Sequence, residues 1–162
     1  MKTFELKFEV QDIEKEKIFD FMFSDTLITE LNGVDTNVFP WKNNRKLLKI
    51  VVDAQKVHVN IPNEIKRFCG GNIIKSTVKL HVLSDDDQGK KIRIRIKPHV
   101  LGSELFINRV FAIVSDGQVI LTAEVHAIFP KPLNDIFETF MINFAMSNFQ
   151  FYANIIQKHF AK

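Results

Sequence analysis

The stretch KPLNDIFETFMINFAMSNFQFYANIIQKHF (residues 131–160) decides how the rest of the chain must be arranged. It holds no Gly, and no Pro after Pro132. Proline suits the first turn of a helix and breaks its interior, so Pro132 marks a start. Phe137, Phe140, Phe144, Phe151 and Ile155 recur mostly at three- and four-residue spacing. Met141, Ala145, Phe149, Tyr152, Ile156 and Phe160 run beside them as a second stripe. The spacing predicts one helix of about 40 Å. From Thr139 to Gln157 no residue carries a formal charge, which raises the question of a membrane span. Asn143, Ser147, Asn148, Gln150, Asn154 and Gln157 answer it, because with Asp135, Glu138 and Lys158 they form a narrow polar strip. The helix is amphipathic, and one wide apolar face needs a large cover.

The residues upstream supply that cover as strands. Phe4, Leu6, Phe8 and Val10 alternate with Glu5, Lys7 and Glu9, the pattern of a half-buried strand. Asp12 is placed to cap a helix carrying Ile13, Ile18, Phe19 and Met22. Ser24 caps a second, short helix through Leu27, Ile28 and Leu31, ending at Asn32-Gly33. Phe39-Pro40-Trp41 is a stiff connector into a strand, LLKIVVDA (residues 47–54). Residues 55–60 alternate again, with Val57 and Val59 on one face. Residues 61–71 carry turn chemistry at Pro62-Asn63 and Gly70-Gly71, yet Ile61, Ile65 and Phe68 make them too apolar for an idle loop.

Two hairpins follow. Residues 73–83 and 90–98 pair across Asp85–Gly89, with Ile74, Val78, Leu80, Val82, Ile92, Ile94 and Ile96 on one face. The other face collects Lys75, Lys79, His81, Lys91, Arg93, Arg95 and Lys97, and sets Arg95 near Lys79. A second turn at Asp116-Gly117 puts Arg109 opposite Glu124. The same register places Phe106, Asn108, Val110, Ala112 and Val114 with Leu121, Ala123, Val125 and Ala127. The sum is a strand, two short helices, about six more strands and one long helix. This predicts an α+β domain spanning residues 1–162, its curved antiparallel sheet wrapping the final helix.

Composition narrows the function classes. The 162 residues include sixteen Phe against one Tyr and one Trp, a large supply of lining that needs no hydrogen-bond partner. The net charge of +3 is mildly basic and falls short of a nucleic-acid signature, so no nucleic-acid partner is expected. A single Cys69 excludes an internal disulfide and a Cys-based zinc cluster, and fits a reduced, intracellular setting. The N-terminal MKTFELKFEV has no apolar core of the signal-peptide kind. The five histidines show no ligand spacing, and no nucleophile elbow, phosphate loop or dinucleotide fingerprint occurs. The expectation is a cytoplasmic monomer, not an enzyme, with no metal and no cofactor.

This order of elements resembles the START-like, helix-grip (Bet v 1-like) superfamily, in which sheet and C-terminal helix enclose a cavity for apolar ligands. Two stretches resemble the VASt domain, the sterol-binding module of the Aster and Lam contact-site proteins. One is FMFSDTLITELNGVDTNVFPWKNNRKLLKI (residues 21–50); the other is PHVLGSELF (residues 98–106), similar to the family's P-x-V-x-G-x-x-F region. The family's Pro/Gly-rich loop after the second strand is matched only loosely, by residues 61–71. The resemblance implies a carrier of a sterol or similar apolar lipid, with residues 61–68 as a lid, that moves its cargo between membranes.

The cavity so implied would be lined by Phe39 and Trp41 from the connector and Ile61 and Ile65 from the lid. Phe106, Asn108 and Val110 would contribute from one strand, and Phe137, Phe140, Met141, Phe144 and Tyr152 from the helix. Asn108 stands out, because a lone amide on an apolar face needs a partner. Asn108 or Tyr152 is the expected contact for a sterol hydroxyl. The basic row Lys75, Lys79, Lys91, Arg93, Arg95 and Lys97 is the expected contact with anionic membrane surfaces. Two rival readings are an interaction module with a filled core, whose basic face docks an acidic partner, and a helix-grip enzyme acting on an apolar small molecule.

Overall fold

The computed structural model describes residues 1–162 apart from 31–33, 54–55, 57–62, 64–66, 68–71, 100–105 and 162. Its elements are β1 (Lys2–Glu9), α1 (Lys15–Met22), α2 (Asp25–Thr29), β2 (Val34–Val38), β3 (Arg45–Asp53), β4 (Ile73–Asp86), β5 (Gly89–Pro98), β6 (Phe106–Ser115), β7 (Gln118–Ala127) and α3 (Leu133–Phe160). The seven strands form one antiparallel sheet in the order β1-β7-β6-β5-β4-β3-β2. Both hairpin registers follow the sequence: Lys79 pairs with Arg95, and Arg109 with Glu124. Val34–Val38, which alternation does not single out, forms the edge strand beside β3. The alternating stretch 55–60 lies outside the described residues, Lys56 excepted.

Local chemistry sets the strand ends. Asp86 accepts from the Gln88 amide at 2.9 Å, and the β4–β5 turn closes on Gly89 at φ 138°. A Cβ there would sit 2.9 Å from the Val114 carbonyl oxygen, so only glycine fits. A bulge at Leu83 shifts the register between Val82 and Ser84 and leaves Leu83 exposed.

Asp12 does not cap α1. It sits at φ 60° in the turn after β1, and Glu14 holds the N-cap position without a side-chain hydrogen bond. The cap comes from the far hairpin turn, where Asp116 Oδ1 accepts from the Lys15 amide at 2.8 Å. Gly117 ties the same turn to the carbonyl of Ile13 and the amide of Val10. Ser24 does cap α2, accepting from the Leu27 amide at 3.3 Å. At the C-terminal end of α1 the Tyr152 hydroxyl donates to the Met22 carbonyl, and Lys46 Nζ donates to the Phe23 carbonyl at 3.0 Å. Carbonyls that a helix cannot satisfy internally are thus taken up by α3 and β3.

The buried core joins α1, α2, the inner sheet face and the C-terminal part of α3: Ile18, Met22, Leu27, Ile92, Val114, Leu121 and Ile156 are almost wholly enclosed. Along α3, buried residues fall into two groups, Phe137–Ile142 and Ala153–Ile156. Between them, from Asn143 to Tyr152, every residue is half-buried or exposed. Glu138, which the spacing puts on the polar strip, is 3% exposed. It takes the Ala127 amide at 3.1 Å and lies 3.2 Å from the Met1 amino group and 3.3 Å from His126. Helical spacing cannot reveal this, because the polar partners come from β7 and from Met1, just before β1.

Candidate functional site

The inner face of the sheet is apolar along its middle, with Lys46 and Lys90 at one end, where Lys46 reaches the Phe23 carbonyl, and uncharged polar groups at the other. Alternation from the buried Leu48, Val78 and Val110 puts Thr36, Ser76 and Asn108 on that face. Thr36 pairs with Ile50, Ile50 with Ser76, and Ser76 with Pro98, while Asn108 pairs with Val125. Thr36 Oγ1 and Asn108 Oδ1 are buried and lack a hydrogen-bond partner among the described residues. An enclosed amide oxygen without a donor is costly, so Asn108 Oδ1 marks a place built for something polar, while Thr36 lies four strands away across the sheet. The strand ends Asp53, Ile73, Pro98 and Phe106 lie at this end too, as does the start of α3 through its Glu138–Ala127 contact.

Val110, Phe137 and Phe140 are buried here, and Met141 and Phe144 are half-buried, with the Phe140 and Phe144 rings 5.8 Å apart. Phe106 pairs with Ala127 through its backbone, and its side chain lies outside the described structure, as do Ile61 and Ile65.

Three expected lining residues stand elsewhere. Phe39 is 41% exposed on the outer face, because its inward neighbour is Val38; its ring lies under Lys49 Nζ at 5.9 Å. Trp41 packs on Phe19 at 5.2 Å and lines a surface groove of about 450 Å³ with Asn43, Asn44, Val82 and Lys90. That groove is at the other end of the sheet, about 14 Å along β6 from Asn108. Tyr152 has its hydroxyl proton committed to Met22, and burial pushes its ionisation above the ordinary tyrosine range. It is a structural donor at every ordinary pH. Thr36 and Ser76 were not singled out by the sequence, since Thr36 lies in the strand that alternation misses.

The outer face carries the basic row as expected, widened by Arg45 and Lys49 of β3. Arg45 pairs with His81, His81 with Arg93, and Arg93 with Phe111, so a guanidinium flanks the imidazole on each side. Lys79 and Arg95 form the next row. Arg93 Nη2 lies 3.2 Å from His81 Nδ1. Arg45, Lys49, Lys75, Lys79, Lys91, Arg93, Arg95 and Lys97 form no ion pair with a carboxylate among the described residues. Among those residues no helix is long and apolar enough to cross a membrane.

A sheet of this order gripping one long helix is the helix-grip, START-like fold. The chain is similar to TTHA0849 from Thermus thermophilus, with a TM-score of 0.58 at 12% identity over 98% of this chain and 99% of that one. It is similar to the major latex-like protein 151 of Panax ginseng, with a TM-score of 0.53 at 11% identity over 99% of this chain and 98% of that one. No protein-family model matches the chain, and no curated protein matches it by sequence.

Proposed function

We propose that this chain is a non-catalytic carrier that holds an apolar ligand with a hydroxyl group, of the sterol class, between α3 and the inner sheet face. The orphaned Asn108 Oδ1 carries the reading, because an acceptor in an apolar wall is matched by a ligand with one donor and a large greasy body. The incompletely covered stretch of α3 from Asn143 to Tyr152 supplies apolar wall. The resemblance to the VASt domain supports a sterol and transfer between membranes; the lid it implies, residues 61–68, lies outside the described residues, Asn63 and Arg67 excepted. The outer basic face supports transient docking on an anionic bilayer during pick-up and delivery.

The test is fluorescent-sterol binding by wild type and Asn108→Leu. Removing the amide should weaken binding about tenfold while raising the unfolding free energy of the empty protein by about 1 kcal/mol, since an orphaned polar atom disappears. Unchanged sterol affinity in the variant sinks the assignment of Asn108. Native mass spectrometry showing no lipid adduct, together with no sterol binding by wild type, sinks the carrier reading.

A further inference from the structure

The outer face concentrates its charge at one spot. Neighbouring strands lie about 4.8 Å apart, so Arg45, His81 and Arg93 form a continuous transverse row. Lys79 and Arg95 stand one row away, within diagonal reach. Like charges so placed destabilise a sheet, and no carboxylate among the described residues relieves them. Arg93 Nε is buried without an acceptor among the described residues. Arginine has donors only, so in the contact between Arg93 and His81 the imidazole Nδ1 must accept. That fixes the ring as the neutral tautomer with its proton on Nε2, adding an uncharged donor to the cluster. Partial burial and then the charges of Arg45, Arg93 and Arg95 keep the imidazole below the ordinary histidine value.

We propose that Arg45, His81, Arg93, Arg95 and Lys79 form a discrete site for a phosphomonoester, the terminal phosphate headgroup of a membrane lipid. Four cations exceed what one carboxylate or phosphodiester neutralises, whereas a phosphomonoester brings nearly two charges and three acceptor oxygens. Guanidinium forks match those oxygens in pairs. The proposal rests on the reading of the outer face as a membrane-docking surface, and narrows it from general attraction to one headgroup chemistry.

The experiment compares vesicles containing phosphatidic acid with vesicles in which phosphatidylserine supplies the same surface charge. Wild type should bind the first at least about tenfold more tightly, the difference made by one charge-assisted hydrogen bond. Arg93→Lys keeps the charge and loses the fork; His81→Gln leaves the net charge of the neutral ring unchanged. Both should lose the preference while keeping phosphatidylserine binding, whereas Lys97→Gln should weaken both vesicles alike. In wild type, the His81 ring resonances should move on adding phosphatidic acid vesicles and not phosphatidylserine vesicles. Equal binding to both vesicles overturns the discrete site and leaves the docking surface standing; binding to neither overturns both. Inorganic phosphate shifting the His81 resonances fully and abolishing vesicle binding would overturn the lipid source in favour of a soluble phosphate.

Discussion

At the scale of single residues, the polar groups of this chain separate into those with partners and those without. Tyr152 belongs to the first kind, as its hydroxyl closes the end of α1 on Met22. Tyr152→Phe should therefore lower the unfolding free energy by about 1 kcal/mol in urea titration and leave sterol affinity within twofold or so. Glu138 is also partnered: the Ala127 amide, then the Met1 amino group and His126, hold its carboxyl below the ordinary carboxylate value. A carboxylate with a depressed folded pKa contributes stability in full above its unfolded pKa, and that stability is lost as pH falls through the folded value. Unfolding midpoints measured from about pH 6 down to 3 should fall more steeply for wild type than for Glu138→Gln. Asn108 and Thr36 are the second kind among the described residues, and the missing donor is what makes Asn108 the candidate for ligand contact.

At the scale of elements, α1 shows what periodicity can and cannot tell. Its apolar positions Ile18, Phe19 and Met22 are buried as the spacing requires, but its cap is Asp116, 101 residues away. Asp116→Ala should lower the unfolding free energy by about 1 kcal/mol, within the usual range for a lost cap, whereas Asp12→Asn, which keeps a side chain suited to φ 60°, should change it by less than about 0.5 kcal/mol. The hairpins were legible because turn chemistry and alternation are local; Asp116-Gly117 alone sets every β6–β7 pair. The edge strand β2 was not, because its pattern, VDTNV, alternates too briefly to stand out. The candidate site was half legible for the same reason. Asn108 is conspicuous in an apolar run, while Phe39 depends on which way one residue after a strand points, and the burial of Glu138 on partners from β7 and Met1.

At the scale of the whole molecule, one sheet separates two chemistries. Its inner face and α3 enclose apolar side chains, and its outer face presents unpaired cations. Sites on opposite faces with no shared partner should behave additively. A Lys75→Gln, Lys97→Gln double variant is expected to lose vesicle affinity, by about 1 kcal/mol for each charge near the surface, without altering sterol affinity in solution. Co-sedimentation and fluorescent-sterol titration on one preparation check both halves. The Asp116 cap, finally, orders events in time. Residues 15–22 leave the ribosome long before residue 116, and an eight-residue helix is marginal alone. This helix is therefore secured only when the β6–β7 turn arrives, so a nascent chain cut short before that turn carries α1 with its first turn frayed.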